Sequence, residues 1–277
     1  MLDEFIRKSL QEDIGDGDHS TLACIPAEAK GKATLLVKEA GVLAGLEVAK
    51  RIYELVDPST ELVCFKSDGD RIEVGEVVFE VQGSSRTILS TERLVLNCMQ
   101  RMSGIATQTA NVLEKIKGCS TRILDTRKTT PGMRFLEKWA VKIGGGENHR
   151  FGLYDMIMLK DNHVDYAGGI EKAIDKTKQY LSETGKQLQI EIEVRSMDEL
   201  VQVLKHGGVD RIMLDNFSPE KLMEALKIIP TKYETEASGG ITMENIRPYA
   251  ETGVQFISIG ALTHSVKSLD LSLKAAI

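Results

Sequence analysis

IEIEVRSMDELVQVLKHGGVDRIMLDN, residues 190–216, reads as a strand, a helix and a second strand. IEIEV (190–194) and RIMLDN (211–216) are β-type runs, and SMDELVQVLKHG (196–207) between them carries a helical pattern. The beat continues in both directions. TRILDT (121–126), MIMLK (156–160), YETEAS (233–238) and FISIGA (256–261) complete a set of six β-type runs, and SPEKLMEALKII (218–229) is a further helical pattern. The C-terminal ends of the runs fall at Asp125, Lys160, Glu193, Asp215, Ser238 and Gly260, at intervals of 35, 33, 22, 23 and 22 residues. A repeat of about 22 residues leaves room for one strand, one helix and two short loops, which predicts parallel βαβ units.

An open doubly wound sheet and a barrel both fit that alternation, and side-chain parity separates them. With a strand period of two, Glu191 and Glu193 share a face, as do Glu234, Glu236 and Ser238. Helices covering both sides of an open sheet would bury those carboxylates at considerable cost. In a barrel they can line a polar mouth and meet Arg127, Lys128 and Lys160. Catalytic groups of βα barrels sit at the C-terminal ends of the strands, where all these residues lie.

Charge points to the same end. Residues 122–160 hold eight basic side chains against four acidic ones, a balance of +4 in a chain of −6, so the remainder sums to −10. A concentrated positive field in an acidic protein predicts a small, highly anionic ligand; nucleic acid would ask for a basic surface over more of the chain. Arg134, Lys138 and Lys142 read as the solvated face of a helix. Arg127, Lys128, Arg150 and Lys160, with the imidazole of His149, are expected to gather in one mouth. Glu193 and Asp215 are hard carboxylates suited to Mg²⁺ carried by a phosphate substrate. Ser238-Gly239-Gly240 and Gly260-Ala261-Leu262, on the last two strands, are expected to cradle a phosphate. Gly144-Gly145-Gly146 is neither a P-loop nor a dinucleotide fingerprint, and reads as a loop that approaches a ligand or shapes the turn before His149.

The first part of the chain differs. Residues 1–12 read as a short amphipathic helix, and EDIGDGDHS (12–20) as a turn whose Asp13, Asp16 and Asp18 miss the EF-hand pattern. From Gly31 to Gly83, short alternating runs separated by Gly and Asp turns predict an antiparallel sheet, interrupted by a helix over 44–56. Its hairpin look resembles lipoyl or biotinyl carriers, but no Lys occupies the tight turns. STERLVLNCMQRMSGIATQTANVLEKIKG (90–118) is one long helix or two broken near Ser103-Gly104, with Arg93 and Arg101 on a solvated face. The tail 265–277 is a final helix or a strand returning to the first domain. These readings give an N-terminal domain over 1–105 and a catalytic barrel domain over 106–277.

The remaining bounds are those of an ordinary soluble protein. Of its 277 residues, 27% are charged and 42% apolar. Four scattered cysteines form no C-x-x-C pair, so neither a zinc site nor a disulfide framework is indicated. With no signal-peptide pattern and no bilayer-length apolar run, a cytoplasmic protein with no membrane partner is expected.

Several of these stretches carry a resemblance. DTRKTTPGMRFLEKWAVKIGGGENHRFGLYDMIMLKDNH, IEIEV, IMLDNF, ASGGI and ISIGALTHS, with EDIGDGD near the start and RMSGIATQTA at the domain junction, resemble the quinolinate phosphoribosyltransferases. The likeness spans nearly the whole chain; one departure is Arg101-Met102 before the SGIAT segment, where many members carry His. The resemblance implies an N-terminal α/β sandwich and a C-terminal incomplete (β/α) barrel. It implies transfer of the phosphoribosyl group of PRPP to the ring nitrogen of quinolinate with loss of the 2-carboxylate as CO₂, giving nicotinate mononucleotide and pyrophosphate for de novo NAD synthesis. Arg127, His149 and Arg150, with Thr126, would hold quinolinate; Lys128 and Lys160 would serve both substrates. Glu193 and Asp215 would bind ribose and Mg²⁺, and the Ser238-Gly239-Gly240 and Gly260-Ala261-Leu262 loops the 5′-phosphate. Lys128, Lys160, Glu193 and Asp215 would be catalytic. Arg93 would reach the neighbouring subunit's site, implying a homodimer with shared sites, or a hexamer built as a trimer of such dimers. The rivals are a relative acting on nicotinate or one associated with molybdenum transport, and a non-enzymatic anion carrier.

Overall fold

The structure, a computed structural model, describes residues 1–276. Twelve strands are named along the chain: β1 (Lys30–Val37), β2 (Gly41–Val42), β3 (Glu61–Cys64), β4 (Arg71–Ile72), β5 (Val77–Ser84), β6 (Arg122–Leu124), β7 (Ile157–Leu159), β8 (Ile190–Val194), β9 (Arg211–Asp215), β10 (Glu234–Ser238), β11 (Phe256–Ser258) and β12 (Leu271–Ala276). They belong to two compact units. One contains Met1–Ala110, Thr129–Gly145 and the segment from Leu262 on; the other contains Asn111–Lys128 and Gly146–Ala261.

The first unit is built on an antiparallel sheet in the order β12-β1-β5-β3. Alternation in β1 buries Ala33, Leu35 and Val37, the half-buried pattern that antiparallel pairing permits. The helix Leu46–Val56 covers the sheet, with Tyr53 edge-on to Phe79 of β5 and ring centroids 6.4 Å apart, inside the range of about 4.5–7 Å usual for such pairs. The C-terminal tail is the returning strand: Leu271 lies opposite Val37 and Ala276 opposite Lys32. Asp18, in the acidic turn, caps the helix His19–Cys24 by accepting the Thr21 N–H at 3.0 Å.

The long helix is unbroken from Ser85 to Lys115. Ser103, where a break was one of the two expectations, bonds instead to the backbone of Ala44, accepting its N–H at 2.9 Å and donating to its carbonyl at 3.1 Å. The segment Thr129–Gly145 follows the first barrel strand yet belongs to this unit, so the expected boundary at 105 separates residues that pack together. The cause is local. A Cβ on Gly144 would lie 2.5 Å from the Ala106 carbonyl oxygen and 2.7 Å from Thr109 Cβ, so glycine there lets the end of the helix Arg134–Ile143 close on the long helix.

Two cations read as solvated are not. Lys138 is 1% exposed. Arg101 donates to Glu137 Oε1 from Nη2 at 2.7 Å and from Nε at 3.0 Å, and also to the Thr263 and Val266 carbonyls. Glu137 is fully buried, and its other oxygen accepts the Thr130 N–H at 3.0 Å.

The second unit is a six-stranded parallel sheet in the order β6-β11-β10-β9-β8-β7. All six β-type runs contain strands, with limits within three residues of those expected. No ladder joins β6 to β7 among the described residues, which leaves the barrel incomplete. Helices follow most strands, as at Met197–His206 after β8 and Pro219–Ile228 after β9, started by Ser196 and Ser218 side-chain caps. No helix among the described residues is long and apolar enough to cross a membrane.

The Arg101–Glu137 pair supplies a stability prediction. Arg101→Met leaves a fully buried carboxylate without its guanidinium, which should cost about 3–5 kcal/mol in urea unfolding, with Arg101→Lys costing less. A loss below about 1 kcal/mol for Arg101→Met would show that the pair contributes little.

Candidate active site

The C-terminal ends of the barrel strands bring two like-charged pairs onto the second unit. Arg127 and Lys128 follow β6, where the Lys128 N–H donates to Thr126 Oγ1 at 3.0 Å and sets the turn. Arg150, 8% exposed, donates from Nη1 to the Met156 carbonyl at 3.2 Å. Burial lowers the proton affinity of its guanidinium, and the charge of Arg127 lowers it further. Two cations that repel each other in a desolvated place favour a shared anionic ligand.

The second pair is acidic. Glu193 ends β8, and Asp215 ends β9. Burial pushes Glu193 above the usual carboxylate range and the charge of Asp215 adds to it; Lys160, with Nζ 3.8 Å from Glu193 Oε2, opposes the rise. Asp215 is also raised, again chiefly by burial, against the pull of a bond from Asn216 and the charges of Lys160 and Lys128. Oxygen donors held close while both resist ionisation suit a hard divalent cation. Lys128, Lys160, Glu193 and Asp215 are thus electrostatic neighbours.

Asn216 was not foreseen. It has φ 56°, the one non-glycine residue with positive φ among the described residues, and its amide donates to Asp215 Oδ2. Its backbone N–H donates to the Ser238 carbonyl at 2.8 Å. Gly239, at φ 93°, lies so close that a Cβ would fall 2.9 Å from the Asn216 nitrogen. The Ser238-Gly239-Gly240 loop is therefore locked to the end of β9. Its helix starts only at Ile246; Asn245 instead closes the intervening turn, accepting the Thr242 N–H and donating to the Gly240 carbonyl. The Gly260-Ala261 loop leads directly into the short helix Ala261–His264, and Leu262 has a buried side chain, so only its backbone can serve a ligand.

The inward carboxylates correct one expectation. Parity places them inside the barrel, but Glu191 and Glu236 are fully buried rather than at the mouth. Their partners are His149, with Nε2 2.9 Å from Glu191 Oε2 and 3.4 Å from Glu236 Oε2, and Arg211, with Nη1 3.2 Å from Glu236 Oε2. Arg211 also donates to Glu234 Oε2 at 2.7 Å. Burial and the charge of Glu236 raise Glu191. Burial would also raise Glu236, but His149, Ser258 and Arg211 together hold it below the usual carboxylate range. For His149, burial pulls the pKa down and the two carboxylates outweigh it, raising it to about 9. A second proton competes with the Arg150 backbone N–H, which donates to His149 Nδ1 at 2.7 Å. That bond describes the form protonated on Nε2. The ligand atoms of His149, Glu191 and Glu236 lie within 4.8 Å of one another, close enough for a metal ion. Arg211 already supplies Glu236 with a cation.

His149, expected at the mouth, is therefore turned toward the core. Its backbone N–H donates to Asp125 Oδ1 at 2.9 Å, and Asp125 is itself fully buried. Arg211 and Asn216 are the supporting residues that sequence reasoning missed; Asp125, Glu191 and Glu236 were singled out, but lie fully buried in the core. An acidic or basic residue inside an otherwise apolar strand was the available signal. Arg93 lies in the other unit, exposed on the long helix, where it lines a cleft of about 420 Å³ with Phe5, Glu12, Asn97 and Pro131.

Comparison with known proteins agrees with this architecture. Residues 18–103 match the N-terminal domain, and residues 105–274 the C-terminal domain, of quinolinate phosphoribosyl transferase. The chain is 45% identical over 284 residues to the chloroplastic nicotinate-nucleotide pyrophosphorylase [carboxylating] of Oryza sativa subsp. japonica, covering 97% of this chain and 76% of the rice protein. It is 43% identical over 273 residues to the probable nicotinate-nucleotide pyrophosphorylase [carboxylating] of Bacillus subtilis, covering 99% and 93%. The crystal structure of NadC from Streptococcus pyogenes superposes with a TM-score of 0.93 at 40% identity, covering 100% of this chain and 97% of that one. With both domains matched and the Bacillus subtilis relative aligned over 93% of its length, the chain belongs to the quinolinate phosphoribosyltransferase family.

Proposed function

We propose that this enzyme transfers the phosphoribosyl group of PRPP to the ring nitrogen of quinolinate and releases pyrophosphate and CO₂, forming nicotinate mononucleotide for NAD synthesis. The observation that carries the reading is the juxtaposition of buried Arg150 with Arg127, beside a carboxylate pair flanked by Lys128 and Lys160, on a chain of this family. Quinolinate brings two carboxylates to the two guanidiniums. Nicotinate, the substrate of the nearest rival reading, would bring one carboxylate to the two guanidiniums. A non-enzymatic carrier would have no use for the second, acidic pair.

The roles follow from charge and position. Arg127 and Arg150, steadied by the turn at Thr126, hold quinolinate and aim its ring nitrogen. Lys128 and Lys160 take the pyrophosphate charge as it develops on the leaving group. Glu193 and Asp215 hold the ribose hydroxyls and Mg²⁺, and the loops at Ser238–Gly240 and Gly260–Leu262 hold the 5′-phosphate. Bound Mg²⁺ supplies charge neutralisation for the departing pyrophosphate. The ring nitrogen bonds to the anomeric carbon as the carbon–oxygen bond to pyrophosphate breaks. The resulting pyridinium then accepts the electron pair left when the 2-carboxylate departs as CO₂, and a proton replaces it. A cytoplasmic location and a homodimer, or a trimer of dimers, complete the reading, with Arg93 reaching the partner's site.

Quinolinate affinity tests the clamp. Arg127→Ala and Arg150→Ala should each weaken quinolinate by roughly thirty- to several-thousand-fold, from about 2–5 kcal/mol for a buried charged contact, with PRPP far less affected. Calorimetric titration that finds quinolinate binding unchanged in both variants removes the assignment.

Metal dependence tests the acidic pair. The double variant Glu193→Gln, Asp215→Asn should lose most activity together with its response to Mg²⁺. A normal rate with a normal Mg²⁺ titration would overturn that role.

Subunit complementation tests Arg93. Mixing Arg93→Ala with Lys160→Ala subunits makes half the dimers mixed, each with one intact site, so activity should recover to about a quarter of wild type. No recovery after confirmed exchange returns Arg93 to a solvated role.

A further inference from the structure

Strand β9 ends on Asp215, and the chain turns at once through Asn216 in the left-handed region, at φ 56°. An L-residue held there is an outlier that asks what the conformation achieves. Here it satisfies two neighbours at once. The Asn216 N–H donates to the Ser238 carbonyl at 2.8 Å, so the ladder between β9 and β10 runs on past the Asp215–Ser238 pair. The side-chain amide folds back and donates to Asp215 Oδ2. A carboxylate ion only accepts, so the amide nitrogen must face Asp215, which leaves the amide oxygen on the other side. That oxygen lies over Gly239, where an added Cβ would overlap it and would also fall 2.9 Å from the Asn216 nitrogen. One side chain thus stands between the carboxylate that ends β9 and the backbone of the loop that follows β10.

We propose that Asn216 is a positioning residue for PRPP: its amide sets the rotation of the Asp215 carboxylate, and its left-handed backbone sets the Ser238-Gly239-Gly240 loop. The inference rests on the readings of Asp215 and of that loop given above, which assign them to the ribose and the 5′-phosphate of one substrate. Glu193 and Asp215 repel each other, and a carboxylate able to rotate would turn away from its neighbour. Holding Oδ2 removes that freedom and leaves Oδ1 as the edge offered to the ligand. Ribose and phosphate are joined by a short covalent link, so their two subsites have to keep a fixed spacing. A displacement of about 1 Å can cost about a hundredfold. The two parts of the role use different atoms and can be separated. Glycine keeps the backbone conformation without the amide; alanine keeps neither, because a Cβ disfavours positive φ.

The test is a double-mutant cycle on the full-length enzyme, read by calorimetry as dissociation constants for PRPP with Mg²⁺ and for quinolinate. Asn216→Gly should weaken PRPP by about ten- to a hundredfold, the usual cost of losing a partner that orients a ligating carboxylate. It should leave quinolinate within about twofold and the urea midpoint unchanged, since glycine accepts the same φ. Asn216→Ala should weaken PRPP further, because the loop shifts as well. In an Asp215→Ala background Asn216→Gly should cost less than about twofold, the positioned group being gone, whereas Asn216→Ala should still cost severalfold through the loop. Wild-type PRPP affinity in Asn216→Gly would overturn the proposal. So would an equal loss with and without Asp215, the pattern of an amide that touches the substrate itself. If Asn216→Ala does not fold, Asn216→Gly in the two backgrounds decides the matter by the same criterion. Unchanged PRPP affinity in Asp215→Ala alone would instead remove the ribose reading beneath the proposal, so the two failures are distinct.

Discussion

Four ionisable side chains in the interior of the barrel, His149, Glu191, Arg211 and Glu236, constrain this molecule more than any other group. Alternation along a parallel strand sends every second residue inward, and two of the glutamates at such positions, Glu191 and Glu236, are fully buried. A carboxylate in that place has to find charge and hydrogen bonds or remain protonated. Arg211 reaches it from the strand between β8 and β10, and His149 from the loop preceding β7. The second solution places an irregular segment against β8 and β10, with His149 Nε2 2.9 Å from Glu191 and 3.4 Å from Glu236.

The rim shows the complementary arrangement. Arg150 lies near Arg127 and Glu193 near Asp215, while Lys160 and Lys128 offset part of the repulsion in the acidic pair. Arg150 is weakened as a cation by burial and by Arg127; Glu193 and Asp215 resist ionisation for the matching reason. The repulsion left in each pair favours ligands of the opposite charge. Interactions arranged beforehand in this way lose little to reorganisation when charge develops on a departing group.

Much of this was legible in the chain. Strand positions followed from the 22-residue beat, and the choice of a barrel followed from carboxylate parity. Depth did not. Glu191 and Glu193 have the same parity, yet one is fully buried and the other sits at the rim, a difference set by how neighbouring strands are staggered. Partners distant in sequence were equally out of reach. Arg101 and Glu137 are 36 residues apart, and nothing local distinguishes that arginine from a solvated one. The tail could be read as helix or strand because its pairing with β1 is decided by residues more than two hundred positions away. Asn216 is the instructive case: a left-handed asparagine after a strand is a turn residue by type, and only the approach of Gly239 shows why the turn must be that tight.

Burial of one clamp arginine bears on specificity as well as affinity. An exposed guanidinium can exchange a substrate carboxylate for water at little cost. Arg150 has 8% of its surface left, and Arg127 adds repulsion to its desolvation. On the proposed assignment a pyridine carrying both carboxylates would bring one to each guanidinium, whereas one lacking the 2-carboxylate would bring one to the pair. Sites built to bond a polar group reject an analogue lacking that group far more strongly than apolar pockets reject a missing methylene, by about 10⁴–10⁵ against about 10–200-fold. Discrimination of that size depends on the guanidinium being unable to swing away toward solvent. In this fold Arg150 Nη1 donates to the Met156 carbonyl at 3.2 Å, so a restraint on the side chain lies within its own loop.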